Sequence, residues 1–116
     1  MRIALIRPNM GDYRSGDAMP PLVMGILAAR ASGHEILFYD DRVEAVPEKL
    51  DADLVAMSVE TFTARRAYEL AAHFRRQGMR LVMGGYHPTF LPQEALAHAD
   101  AIIIGDAEGA WERLLA

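Results

Sequence analysis

The sequence contains no cysteine and a single lysine. The absence of the first and the scarcity of the second each exclude a class of functional site. Without cysteine, these 116 residues form no disulfide, hold no thiolate nucleophile and ligate no iron–sulfur cluster or zinc ion through sulfur. The lysine, Lys49, follows Glu48 in a polar segment instead of closing the glycine-rich GxxxxGK[ST] loop that cradles nucleotide phosphates. A P-loop nucleotide site is therefore excluded.

A basic excess and a long hydrophobic run are also missing. The 12 Lys and Arg residues against 16 Asp and Glu give a net charge of -4, which provides no positive field for nucleic acid or an anionic membrane. The longest apolar stretch, 22–29, is far shorter than the roughly 20 residues of a membrane-spanning helix. Because the first residues read as a strand and not as a signal peptide, we expect a cytoplasmic protein without membrane insertion.

Short apolar runs alternate with helical patterns along the whole chain. The runs, each bounded by turn residues, predict five strands, at 3–6, 35–39, 54–58, 80–83 and 101–104. Strands that are apolar on both faces and alternate with helices are typical of a parallel sheet covered on both sides. The sequence therefore predicts one doubly wound α/β domain.

The helical segments differ in the strength of their pattern. Segment 64–77 places Ala67, Leu70 and Phe74 on one face and charged residues on the other. Segment 20–32 begins with two prolines, which suit a first helical turn, and it is apolar nearly all round, so we expect it to be well covered. Weaker signals predict helices at 91–98 and 107–116 and one short helical turn within 44–50.

The loops after the strands carry the small and polar residues. Ligands of open parallel sheets bind outside the carboxyl ends of the strands, so the segments to inspect are 7–17, 58–63, 84–89 and 105–109. The first lacks both the GxGxxG of a dinucleotide site and the Ser/Thr-rich phosphate loop of a flavodoxin-type flavin site. The acidic pair, the strand-end aspartate and the lysine of a phospho-receiver domain are missing as well. Three common functions of this architecture are thereby excluded.

Two of these loops carry motifs that occur together in one family. Gly-Gly-Tyr-His-Pro-Thr at 84–89 precedes Gly-Asp-Ala-Glu at 105–108, and Ser-Val-Glu-Thr at 58–61 and Pro-Pro-Leu at 20–22 stand upstream. In this order the segments resemble the N-terminal cobalamin-binding domain of cobalamin-dependent radical SAM enzymes. The resemblance spans essentially the whole chain. It implies a flavodoxin-like fold with strand order 2-1-3-4-5, in which the corrin ring lies across the carboxyl ends of the strands.

The resemblance also implies a set of cofactor-binding residues. Gly84 and Gly85 would line a slot for the nucleotide tail, so we expect Gly85→Val to block the tail without disturbing the fold. Arg14 and Thr89 are expected to bind the tail phosphate. The full set is Asn9, Arg14, Ser58, Glu60, Thr61, Gly84, Gly85, His87, Pro88, Thr89, Gly105, Asp106 and Glu108. No catalytic residue and no protein ligand to a metal is expected here, since segment 12–17 carries no histidine to ligate cobalt.

Several of these residues also have a purely structural interpretation. Ser58 and Thr61 can cap the helix that follows them. Asp106 and Glu108 can complement the dipole of the last helix, and His87 can be a capping residue.

The resemblance further implies a larger enzyme. We expect the chain to be an N-terminal piece whose downstream radical SAM barrel binds S-adenosylmethionine and supplies the cysteines of a 4Fe-4S cluster. The intact enzyme would be a methyltransferase or an anaerobic cyclase, and this piece alone would not turn over. Two alternatives stay open: a docking module that has lost the cofactor, and an α/β domain that binds another nucleotide-bearing ligand.

Overall fold

The computed structural model describes residues 1–16 and 18–116; Asp17, in the long loop predicted after the first strand, lies outside them. Five parallel strands form one sheet in the order β2-β1-β3-β4-β5, which confirms the predicted fold. The strands are β1 (Arg2–Arg7), β2 (Glu35–Asp40), β3 (Leu54–Ser58), β4 (Arg80–Gly84) and β5 (Ala101–Ile102). The helices are α1 (Leu22–Ala29), α2 (Ala64–Arg76), α3 (Tyr86–Phe90), α4 (Pro92–Leu96) and α5 (Ala110–Leu115), with a 3-10 turn (Thr61–Thr63) before α2.

The sheet separates two hydrophobic cores. Alternate side chains of a strand point to opposite faces, so Ile6 packs into the core with Phe74 of α2 while its neighbour Leu5 packs into the other. The second core holds Leu27 of α1 and Trp111 of α5. Burying a large apolar side chain contributes about 1.5–3 kcal/mol, and both faces of the sheet gain it.

Trp111 joins the last helix to the first. Its side chain is buried, and its indole N–H donates to the Leu27 carbonyl oxygen at 2.9 Å. We expect Trp111→Phe to lower the free energy of unfolding by about 1–2 kcal/mol, because the substitution removes this hydrogen bond and part of the buried area. Urea denaturation followed by circular dichroism measures the change. A variant as stable as the wild type would show that the indole contact contributes nothing.

The first helix is shorter and more exposed than expected. Pro20 precedes a proline and so avoids the helical region, and Pro21 is the extended N-cap (φ -77°, ψ 119°), so α1 begins only at Leu22. The expectation that this helix is covered all round is wrong. Met24 and Leu27 are buried, but Leu22 is 79% exposed, since one face of α1 packs on the sheet and α5 while the other faces solvent.

Five further predictions differ from the structure, and one of them is the last helix, which begins at Ala110 instead of residue 107. Segment 44–50 contains no helical turn, because Pro47 disfavours a helical conformation in the residue before it. The fifth strand has two residues instead of four, since it lies at the edge of the sheet and Gly105 (φ 75°) turns the chain soon after. The fourth helix ends early, at Leu96, and segment 86–90, expected to be a loop, forms α3. None of the helices in the described part of the chain is long and apolar enough to cross a membrane.

Candidate functional site

A cavity of about 460 Å³ opens at the carboxyl ends of β3, β4 and β5. Its walls are mostly apolar, with Ile26 from α1, Ile103 after β5 and Trp111 from α5. Most of the residues predicted from the sequence meet there, because parallel strands bring the loops after them to one edge of the sheet. Those that line the cavity are Ser58, Glu60, Gly84, Gly85, Thr89, Gly105, Asp106 and Glu108.

Glu60 brings a carboxylate to the cavity together with its counter-ion. Arg7, at the end of β1, is 7% exposed and donates to the Glu60 carboxylate at 2.7 Å. Its other terminal nitrogen donates to the Pro8 carbonyl oxygen at 2.8 Å. A nearly buried guanidinium needs such a partner, so the pair presents a neutral surface to a ligand. Arg7 itself does not line the cavity, and it acts on the cavity through Glu60.

The adjacent glycines Gly84 and Gly85 differ in what a side chain at each position would contact. A Cβ on Gly84 would make only ordinary contacts, the nearest with Ile103 at 3.7 Å, so Gly84 leaves free space on the cavity wall. Gly85 has φ 105°, and a Cβ there would lie 2.7 Å from the Val59 carbonyl oxygen. Gly85 is therefore required by the backbone turn itself, and not only by a ligand slot.

Aromatic side chains that the sequence analysis did not single out surround the cavity mouth. Tyr86 is 72% exposed and Phe90 is 75% exposed, and both line the cavity from α3. A helix at 86–90 was not predicted, so the shared orientation of these two residues was not visible in the sequence. Exposed aromatic surface beside an apolar cavity is typical of a binding site for a large ligand.

Asn9 and Arg14, two of the predicted binding residues, lie outside the cavity wall. Both surround Asp41, whose carboxylate accepts from the Asn9 backbone N–H at 3.0 Å and from Arg14 at 3.0 Å. Arg66 of α2 adds two more hydrogen bonds, at 2.8 and 3.2 Å. Burial raises the pKa of Asp41, but the bonds from Arg66, Asn9 and Arg14 outweigh it and the pKa is lowered. Asp41 thereby holds the loop after β1 against α2.

Thr61, His87 and Pro88 also lie apart from the cavity: His87 and Pro88 are on the buried side of α3, and Thr61 begins the 3-10 turn before α2. His87 is 5% exposed, and its ring nitrogens lie 2.6 Å from a Glu94 carboxylate oxygen and 3.2 Å from the Thr61 hydroxyl. Tyr68 donates to the same Glu94 oxygen at 2.7 Å, and the bonds from Tyr68 and His87 lower the pKa of Glu94. Burial, followed by the bond to Glu94, raises the pKa of Tyr68. These hydrogen bonds fix the buried side of α3, the helix that contributes to the cavity wall.

Comparison with known proteins bears on the ligand of this cavity. The sequence profile of the B12 binding domain matches residues 19–115, which include every lining residue. The chain belongs to the B12-binding domain family. The cavity therefore stands at the carboxyl edge of a B12-binding domain, and the family indicates cobalamin as the ligand of such a domain.

Two relatives of this B12-binding domain are methyltransferases. The chain is 48% identical over 65 residues to a bacteriochlorophyllide d C-8(2)-methyltransferase of Chlorobaculum tepidum. It is 34% identical over 103 residues to a bacteriochlorophyllide d C-12(1)-methyltransferase of the same organism. These alignments cover 56% and 86% of this chain but only 14% and 23% of the two relatives. The similarity thus concerns a small part of each methyltransferase.

Proposed function

We propose that this domain binds cobalamin, with the nucleotide tail in the cavity and the corrin ring over the carboxyl edge of the sheet. The observation that carries the proposal is the cavity of about 460 Å³ at that edge, within a chain that belongs to the B12-binding domain family. A volume in the range of about 300–1,000 Å³, with apolar walls and a few polar groups, suits a compact organic ligand.

The residues around the cavity would make different kinds of contact with the ligand. Gly84 leaves room for close approach of a ligand, and the apolar side chains around it exclude water. Asp106 and Glu108 are exposed acceptors at the rim, where they can accept hydrogen bonds from amide groups of a corrin. Tyr86 and Phe90 offer flat apolar surface to the ring.

We further propose that the domain serves a cobalamin-dependent radical SAM methyltransferase. Bound cobalamin supplies a carrier for a methyl group. The support is the methyltransferase activity for which the two relatives are named, together with the resemblance of segments 58–61, 84–89 and 105–108 to radical SAM enzymes. S-adenosylmethionine and a 4Fe-4S cluster would then bind to a radical SAM domain elsewhere in a longer polypeptide, because this chain has no cysteine.

Binding is tested by incubating the domain with hydroxocobalamin, desalting it and recording the visible spectrum of the protein. We expect retained corrin absorbance, together with quenching of the fluorescence of Trp111, the single tryptophan, which lines the cavity. Retention of a flavin or a nicotinamide nucleotide, but not of cobalamin, would favour the nucleotide-binding alternative. Retention of none of them would favour the docking-module alternative and contradict the proposal for this domain.

Gly84→Val is the variant that tests the position of the ligand. The added side chain would lie beside Ile103 in the cavity without a backbone clash, so the fold should persist while the dissociation constant for cobalamin rises at least about tenfold. The matched control is Gly25→Val on the exposed side of α1, where a Cβ meets nothing within 4 Å. Equal affinities of the two variants would place the ligand elsewhere.

A further inference from the structure

The Thr89 hydroxyl joins the two loops that form the cavity rim. Its oxygen lies 2.8 Å from the Gly85 carbonyl oxygen and 3.0 Å from the Gly105 backbone nitrogen. Gly85 belongs to the loop after β4, and Gly105 follows β5. The side chain therefore bridges two segments that are 20 residues apart in the sequence, and all three residues line the cavity.

The direction of both hydrogen bonds follows from their partners. The Gly85 carbonyl oxygen only accepts, so the hydroxyl donates its single hydrogen to it. The Gly105 N–H only donates, so the hydroxyl oxygen accepts from it. One lone pair of the oxygen remains, and it accepts but does not donate. A phosphate is also an acceptor, so Thr89 in this arrangement has no hydrogen to offer to the tail phosphate that the sequence analysis assigned to it.

The two segments that Thr89 bridges differ in how firmly other contacts fix them. On the α3 side, His87 is fixed by Glu94 and Thr61, and its backbone N–H donates to the Val59 carbonyl oxygen at 3.1 Å. On the other side, β5 ends at Ile102, and a Cβ on Gly105 would meet nothing within 4 Å. Within residues 1–16 and 18–116, the Thr89 hydroxyl is the hydrogen-bond partner of the Gly105 N–H.

We propose that Thr89 is a positioning residue that sets the distance between the two loops of the cavity rim, and that it does not bind the phosphate of the ligand. The ligand in this inference rests on the proposed function, whereas the bridge itself is a property of the ligand-free domain. Thr89→Val removes the hydroxyl and keeps the branched shape. Thr89→Ser keeps the hydroxyl and removes a methyl group.

The first measurement is amide hydrogen exchange of the ligand-free domain, followed residue by residue by NMR. We expect exchange of the Gly105 amide to be about fivefold faster or more in Thr89→Val, as for the loss of one hydrogen bond, and close to the wild-type rate in Thr89→Ser. The Ile103 amide, which donates to the Met83 carbonyl oxygen at 2.9 Å, serves as the internal control and should be unaffected.

The second measurement is the dissociation constant for cobalamin, taken from the quenching of Trp111 fluorescence. We expect the dissociation constant of Thr89→Val for cobalamin to be about fivefold higher or more, and that of Thr89→Ser to be close to the wild-type value. Weaker binding with unchanged Gly105 exchange would overturn the inference in favour of a direct contact with the ligand. A serine variant that exchanges like the valine variant would overturn it as well. If the wild type binds no cobalamin, the proposed function fails, and the Gly105 exchange rates still decide whether the bridge exists.

Discussion

Substitution of Gly85 by alanine is expected to lower the free energy of unfolding by about 2–6 kcal/mol. The backbone at Gly85 (φ 105°, ψ -173°) lies in a region that only glycine occupies readily, and the strain costs of order 1–3 kcal/mol. A Cβ would also approach the Val59 carbonyl oxygen to 2.7 Å and the Val59 nitrogen to 2.9 Å, and such overpacking costs about 1–3 kcal/mol more. Denaturation with urea, followed by circular dichroism, measures the loss.

Gly78→Ala is the control that separates the two contributions. Gly78 also has a positive φ (86°), but a Cβ there meets nothing within 4 Å, so its substitution should cost only about 1 kcal/mol. Equal effects at the two positions would show that the backbone at Val59 moves aside freely. Gly85→Val should destabilise the fold more than Gly85→Ala, because valine is larger and branched at Cβ. The structure therefore replaces the expectation that this variant keeps a native fold and only blocks the ligand slot.

Substitution of Asp41 by asparagine is expected to destabilise the domain by about 3 kcal/mol at neutral pH. The side chain is 0% exposed and accepts hydrogen bonds from Asn9, Arg14 and Arg66. Removing one member of a buried ion pair costs about 3–5 kcal/mol. We expect a value at the lower end of this range, because the guanidinium groups of Arg14 and Arg66 are partly exposed and can be hydrated when the charge of residue 41 is removed. Asp51→Asn, at a carboxylate that is 94% exposed, is the control and should change stability by less than about 1 kcal/mol.

The effect of Asp41 should depend on pH. Because the folded-state pKa of Asp41 lies below its unfolded value, the stabilisation is present above the unfolded pKa, near 3.9. It is lost as the pH falls through the lower folded-state pKa. The difference in stability between wild type and Asp41→Asn should therefore be constant near neutrality and shrink below about pH 4. A difference that stays constant down to the acid transition would contradict this account.

The architecture was predictable because it follows from local patterns. Apolar runs of strand length, interrupted by amphipathic segments such as 64–77, determine a parallel sheet that needs cover on both faces. All five strands agree with the structure, apart from the length of β5, and so does the strand order, which the family resemblance implied. The carboxyl edge was predictable for the same reason, since every loop that follows a parallel strand ends there.

The sequence did not predict which residues at this edge face the cavity and which ones stabilise the fold. The Gly84–Gly85 pair reads as two equivalent glycines, and only the approach of Val59 shows that Gly85 serves the backbone. The motif at 84–89 reads as a loop, but it forms α3, with Thr89 toward the cavity and His87 behind it. Which face a five-residue helix presents depends on how it is docked, and local sequence carries no such information.

The sequence by itself determined the fold class, the edge of the sheet at which the candidate site forms and the membership in the B12-binding domain family. The tertiary structure decided which polar residues are free to meet a ligand and which are occupied by other parts of the protein. Arg14 is a clear case: a flexible cation in a loop suits a phosphate, but folding brings it to Asp41, 27 residues away in the sequence. A buried carboxylate requires partners, and Arg14 is one of the two guanidinium groups that pair with Asp41. Such pairings form only when distant segments pack together, and for that reason they lie beyond any reading of local sequence.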